Sequence, residues 1–168
     1  MLDAKGRKLS SRWCAEFAGF CWGEAYIGVT IYKRFSKTRN KKLIFYRGQI
    51  KIALRSDDLP LLRDFQDKLG GHLFKAGIRM VKGEGEKAYL QHQNYQWILV
   101  SRKDLRRAVS ILEKSLLPAK KKKSLDAIKK YLEIVHDTGH KYTLQERGYL
   151  EEIRQLSIAS TKFDGSIK

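Results

Sequence analysis

Trp13-Cys14-Ala15-Glu16-Phe17-Ala18-Gly19-Phe20-Cys21-Trp22-Gly23-Glu24-Ala25-Tyr26-Ile27 is the stretch whose reading decides the fold. It reads as a helix of small and aromatic residues that ends in one carboxylate, with a strand starting at once. Ala15, Gly19 and Gly23 fall four apart, so on a helix they form one flat stripe, which Ala18 widens. A glycine costs about 1 kcal/mol in a helix relative to alanine, so two of them require compensation, and close approach of a second backbone supplies it. Such an approach brings Glu24, at the end of the stripe, near the end of the partner helix. The plain alternatives are ordinary tight packing for the stripe and a solvated helix end for Glu24.

The rest of the chain bears on that choice. With 168 residues it has the size of one domain, and at 42% hydrophobic it can bury a core. Thirty-five Lys and Arg against 18 Asp and Glu leave a net charge of +17, which points to a polyanionic partner. Nucleic acid comes first and an anionic membrane surface second. The opening Met1-Leu2-Asp3-Ala4-Lys5-Gly6-Arg7-Lys8 has no apolar signal core, and no apolar run approaches a membrane span. The expectation is an intracellular protein of cytoplasm or organelle, without membrane contact. Cys14 and Cys21 read as buried hydrophobes, since two helical turns separate them by about 10 Å, beyond bridging distance.

After Glu24 the chain alternates, with Ile27, Val29 and Ile31 on one face and Tyr26, Thr30, Tyr32 and Arg34 on the other. A basic turn containing Lys37 and Arg39 follows. Tyr46 to Leu54 alternates again: Ile50, Ile52 and Leu54 inward, Arg47, Gln49, Lys51 and Ala53 outward. Ser56-Asp57-Asp58 predicts the cap of a helix through Leu69, with Pro60 in its first turn and Gly70-Gly71 ending it. The pattern then repeats. His72 to Val81 predicts a strand with Lys75 and Arg79 opposite Phe74, Ala76 and Ile78, and Lys82 to Lys87 a turn. Gln91 to Val100 predicts a strand with Tyr95, Trp97 and Leu99 inward and Asn94 and Gln96 outward. Helices follow over 102–116, from the Lys120-Lys121-Lys122-Lys123 run through Val135, and over 143–157, where Leu144, Leu150, Ile153 and Leu156 form the apolar stripe.

The expected class is therefore α+β, an αββαββα order with a four-stranded antiparallel sheet backed by helices, plus C-terminal helices. Residues 1–135 form the core and residues 136–168 a helical extension of the same domain. The polar sheet face mixes phosphate binders with side chains suited to base edges, Arg for guanine and Asn or Gln for adenine. A solvated sheet face is the bland alternative; the net charge favours nucleic acid.

Phe17-Ala18-Gly19-Phe20-Cys21-Trp22-Gly23-Glu24-Ala25 resembles, without a gap, the nine-residue motif of the LAGLIDADG homing endonucleases, in the class with one motif per chain. Ala18, Gly19 and Glu24 match directly. Trp22 replaces an Asp that is not the metal-binding one, and Ala25 replaces the final glycine. The resemblance covers residues 13–135 and implies a homodimer with Ala15, Ala18, Gly19, Trp22 and Gly23 at its interface. It implies double-stranded DNA with a long, partly palindromic site as substrate, Mg²⁺ as cofactor (Mn²⁺ or Ca²⁺ substituting in binding), and Glu24 with the Gly23 carbonyl as metal ligands. A lysine after the second strand pair joins the site in that family. Lys120 best matches it, and Lys122 is the nearby alternative and a backbone contact; at the position ending the second strand, often polar in that family, the register offers Leu54 or Arg55, of which Arg55 is the polar choice. The DNA-contacting set is then Tyr26, Thr30, Tyr32, Arg34, Lys37, Arg39, Arg47, Gln49, Lys51, Lys75, Arg79, Asn94, Gln96 and Lys122.

Other signals are weak. His136 and His140 have a zinc-like spacing but no cysteine pair beside them, and Gly83-Glu84-Gly85-Glu86-Lys87 reads as a hairpin turn. The reading is a site-specific double-strand DNA endonuclease that lays each sheet along a half-site and cuts across the minor groove. The runner-up is a non-cleaving binder on the same fold, such as an intron RNA maturase or a regulator. A third class is a basic ribosome-associated protein.

Overall fold

The computed structural model describes residues 1–36, 38, 40–76, 80–82, 88–90, 93–134 and 142–159. Helix α1 (Ser11–Gly23) starts where the Ser10 hydroxyl accepts the Trp13 amide at 3.1 Å, which satisfies one of the first-turn donors. There follow β1 (Tyr26–Ser36) and β2 (Lys41–Arg55), then a 3₁₀ turn (Ser56–Asp58) leading into α2 (Leu59–Leu69). Next come β3 (His72–Lys75), β4 (Met80–Lys82), β5 (Ala88–Leu90) and β6 (Asn94–Leu99). Three helices close the fold: α3 (Arg102–Leu112), α4 (Ala119–Ile134) and α5 (Leu144–Ala159). β1, β2, β6 and β3 form an antiparallel sheet in that order, while β4 and β5 pair in a separate ribbon. The chain is α+β with a four-stranded antiparallel sheet, as expected.

Register follows burial. Ile27 faces Ile50, Ile50 faces Leu99, and Ile52 faces Trp97, all at most 1% exposed. Against this layer α1 lays Phe17 and Cys21, α2 lays Leu62, Phe65 and Leu69, and α3 and α4 add Leu105, Leu112 and Ile128. The centre is aromatic. Phe65 stands edge-on to Phe17 at 5.3 Å, Trp97 lies 5.7 Å from Phe65, and Trp13 stacks on Phe17 at 5.5 Å. The Trp97 indole donates to the Gly70 carbonyl at 2.9 Å, so the one polar atom of the ring is satisfied. Gly70 and Gly71 hold φ of 86° and 87°, and a Cβ on Gly71 would lie 2.7 Å from the Ile98 carbonyl. That turn needs glycine for conformation and for space.

Several expectations are corrected. Among the described residues of the predicted strand from His72 to Val81, His72–Lys75 joins the four-stranded sheet and Met80–Val81 belongs to the separate ribbon. The Gln93 side-chain amide donates to the Ala76 and Asn94 carbonyls, at 2.5 and 3.0 Å, where that ladder ends. The register of β3 is also the reverse of the predicted one. Leu73 and Lys75 lie opposite Trp97 and Tyr95, and Phe74 lies opposite Gln96. Lys75 therefore stands on the helix-covered face, at its rim, and Phe74 is 43% exposed on the polar face. Packing Leu73 beside Trp97 sets this, and a slip of one residue would turn Leu73 outward. Ser56-Asp57-Asp58 form the 3₁₀ turn, and no side chain caps α2. α3 stops at Leu112, short of the predicted Leu116, through bonds from the Lys114 and Ser115 amides to the carbonyls of Ile111 and Leu112. In α5, Leu150 and Ile153 are buried, but Leu144 and Leu156 face solvent.

α5 contacts α4 and runs against β1, an edge strand of the sheet. The Val29 amide donates to Ser157 Oγ at 3.2 Å, and that hydroxyl donates to the Arg154 carbonyl at 2.8 Å. A helix thus covers an edge that would otherwise offer free strand bonds.

Gly48, opposite Val29, lies under the buried Tyr131 ring, and a Cβ there would sit 2.6 Å from Tyr131 Cδ1. Gly48→Ala should destabilise the fold by about 1–3 kcal/mol through overpacking. Urea unfolding would show a lower midpoint with unchanged slope.

Candidate nucleic-acid interface and catalytic cleft

The outward sheet face follows from the same register. Tyr26, Thr30 and Tyr32 pair with Lys51, Arg47 and Phe45, and Gly28 pairs with Gln49. Ala53 and Arg55 pair with Gln96 and Asn94, and His72 and Phe74 stand beyond β6. Arg34 holds the position opposite Leu43. Among the described residues this face carries no Asp or Glu. The sheet brings together Tyr26, Thr30, Tyr32, Arg47, Gln49, Lys51, Asn94 and Gln96. Lys75 is excluded by its register, and Lys37, Arg39 and Arg79, with His136 and His140, lie outside the described residues.

Their local contacts differ. The Tyr26 hydroxyl lies across Gly28 beside Ser157 of α5, and burial pushes that phenol up. The Thr30 hydroxyl donates to the Arg47 carbonyl at 3.3 Å. The Arg47 guanidinium lies 4.7 Å from the centre of the Tyr32 ring, and Tyr32 lies 6.5 Å from Phe45. Phe45 and Phe74 were missed as outward residues. β2 starts five residues before the predicted Tyr46, and Phe74 was assigned to the opposite face.

The cleft forms where α1 gives way to β1. Glu24 closes the helix, its amide bonded to the Phe20 carbonyl at 2.8 Å, and its carboxylate is exposed. Ala25 alone separates it from β1 and is 3% exposed. Among the described residues only Asn40 combines a side chain with positive φ, so Ala25 stands at ordinary backbone angles. Alanine in place of the motif's final glycine leaves the helix-to-strand step intact. Lys121 Nζ donates to the Ala25 carbonyl. Glu24, Ala25, Tyr26, Ile27, Lys120, Lys121 and Ser124 line an open cleft of about 310 Å³. Burial pushes the Lys121 amine below the usual lysine range, and the nearby Glu24 carboxylate opposes that shift. Beneath them burial pushes the Cys21 thiol far up, so it stays protonated.

Lys121 is the residue the sequence reading missed. Four consecutive lysines are indistinguishable in composition, yet only one phase of α4 points inward. Leu125, Ile128 and Leu132 form its buried stripe, and stepping back four residues from Leu125 gives Lys121. Lys120 lines the same cleft, and Lys122 is exposed on the first turns of α4. That turn holds no acidic residue, so its lysines stand against the positive end of the helix dipole. Arg55 is absent from the cleft lining and pairs with Asp57 at 3.2 Å. Four residues of strand, about 13 Å, separate it from Lys51, the residue opposite Tyr26.

The small-residue stripe of α1 is exposed. A Cβ on Gly19 or Gly23 would meet nothing within 4 Å, Ala15 is exposed, and Trp22 is 54% exposed. Ala18 departs from the expected stripe and is buried in the chain's own core. Among the described residues, no group of three or more His, Cys, Asp or Glu is gathered that could hold a metal. Among the described residues Glu24 is the one carboxylate lining the cleft.

The LAGLIDADG endonuclease family model matches residues 17–132, and the chain belongs to that family. Solved structures share the fold. The LAGLIDADG homing endonuclease I-LtrWI, bound to target DNA, is 20% identical with a TM-score of 0.59, over 88% of this chain and 44% of that one. The homing endonuclease I-CvuI, in complex with its target in the presence of Ca, is 16% identical with a TM-score of 0.60, over 94% and 85%. I-SmaMI, bound to uncleaved DNA target in the presence of calcium ions, is 17% identical with a TM-score of 0.52, over 91% and 42%. This chain thus spans less than half of I-LtrWI and I-SmaMI. No curated protein matches it.

Lys121→Ala removes the only side-chain clasp seen on the Ala25 carbonyl among the described residues, whereas Lys120→Ala leaves it in place. Amide exchange at Ala25 to Ile27 should speed up in the first variant and stay at the wild-type rate in the second.

Proposed function

We propose that this protein is a homing endonuclease that, as a Mg²⁺-dependent homodimer, makes a double-strand cut at one long, partly palindromic DNA site. The observation that carries this reading is the exposed Glu24 carboxylate held beside Lys121 at the foot of a sheet face that, among the described residues, carries no acidic side chain. The family match and the DNA-bound structures of similar fold support it. Genetic mobility of an intron or intein, and an intracellular setting in cytoplasm or organelle, go with that activity.

Two copies joined along Ala15, Gly19, Trp22 and Gly23 would set the Glu24 residues side by side. Glycine at 19 and 23 leaves room for that approach. Neighbouring carboxylates repel unless a cation lies between them. The Glu24 carboxylate and the carbonyl of Gly23, in a last turn whose carbonyls lack intrahelical donors, are the hard oxygen ligands that suit Mg²⁺. Bound Mg²⁺ supplies a Lewis acid that activates water and offsets charge on phosphate oxygens. Lys121, anchored on the Ala25 carbonyl, holds a cation at a fixed place beside Glu24 and can stabilise charge on the phosphate. Lys51, Arg47 and the polar sheet residues hold the duplex, and Lys120 and Lys122 meet its backbone.

Incubation with a DNA library and Mg²⁺, followed by sequencing of ends, should reveal one long site cut to short 3′ overhangs. Glu24→Gln should reduce cutting to background while binding stays within a few-fold, because shape is kept and charge is lost. A wild-type rate would remove Glu24 from the mechanism. Lys121→Ala should slow cutting about 10²–10³-fold, the usual cost of losing a preorganised electrostatic group. Gly19→Leu should weaken self-association and DNA binding together, and an unchanged dimer by sedimentation would exclude the α1 interface.

A further inference from the structure

One arrangement on the sheet face goes beyond backbone attraction. Tyr32 and Phe45 face each other across the β1–β2 ladder with rings 6.5 Å apart, tilted by 40°. They are 45% and 41% exposed, on a face where the neighbouring positions are held by polar Thr30, Arg34 and Arg47 and by apolar Leu43. The Arg47 guanidinium rests 4.7 Å from the Tyr32 ring centre. Its backbone is pinned as well: the Thr30 hydroxyl donates to its carbonyl, and Gly48 behind it is wedged under Tyr131. Among the described residues no carboxylate pairs with Arg47.

An arginine that only neutralises phosphate gains little from such support, since a point charge tolerates many positions. Reading a base is different. The guanidinium fork must meet two acceptors in one plane, and in the major groove only guanine, with O6 and N7, presents two on one base edge. A ring 4.7 Å from the guanidinium carbon limits how far the fork can swing and takes up none of its N–H donors in a conventional hydrogen bond.

We infer that Tyr32, backed by Phe45, is a platform that orients Arg47 to read one guanine in each half-site. Tyr32 is thereby a specificity-determining residue that makes no hydrogen bond to a base. The inference rests on the DNA reading above and names the side chains that discriminate.

The test is selection from a randomised duplex library in Ca²⁺ at fixed salt, using the full chain, followed by sequencing. Wild type should enrich guanine at one symmetry-related pair of positions by about tenfold or more, the discrimination expected of a bidentate pair. Arg47→Ala should erase that preference and leave the other positions unchanged. Tyr32→Ala should weaken the same preference several-fold although Arg47 is present, and Tyr32→Phe, which keeps the ring, should restore it. An Arg47→Ala variant that binds all sequences equally less well would make Arg47 a phosphate contact and overturn the proposal. Tyr32→Ala leaving the guanine preference intact, or altering a different position, would also overturn it. Absence of any enriched sequence with wild type would overturn the DNA reading along with it.

Discussion

Trp97 is the residue on which the rest of the arrangement depends. Its ring fills the space between the sheet and two helices, touching Phe17 of α1 and Phe65 of α2, and its indole is bonded to the Gly70 carbonyl. A buried aromatic of this size has one place to go. It fixes the register of β6 against β2 and β3, and because strand side chains alternate, it decides every residue that faces outward. It also holds α1 against the sheet, which places Glu24 at the start of β1. The outward face and the cleft are consequences of one packing decision.

The cleft illustrates how a charged group is held near another without being neutralised. Glu24 stays exposed, while Lys121 is half-buried and anchored on a backbone carbonyl. Burial disfavours its charge and the neighbouring carboxylate favours it. Lys120, Lys122 and Lys123 stand at the start of α4, where the dipole opposes them. A polyanion relieves that repulsion, which makes the first turns of α4 and the sheet face parts of one electrostatic surface.

Much of this was legible from residues alone. Period-two alternation through Tyr26 to Ile31 and through Ile50 to Leu54 assigned both faces of the central strands, because one buried face leaves no freedom in phase. The α1 motif and its terminal carboxylate were legible for a related reason: two glycines in a helix are costly unless used, and they lead directly to an acid at the helix end. β3 was not legible, since His72–Lys75 is too short for alternation to choose between Leu73 and Phe74. Lys121 was hidden among identical neighbours, and Ala18 looked like part of the exposed stripe because small size alone does not tell which way a helix turns.

The sequence by itself determined the class of fold, the family, the outward character of Arg47, Gln49 and Lys51, and the position of Glu24 at a helix-to-strand step. Those follow from periodicity and from the chemistry of single residues. Only the tertiary structure decided that Lys121 rather than Lys120 clasps the Ala25 carbonyl, that Lys75 leaves the polar face, and that Tyr32 lies under Arg47. Each of these depends on the phase or register of one element against another, and that is set by packing between residues far apart in the chain.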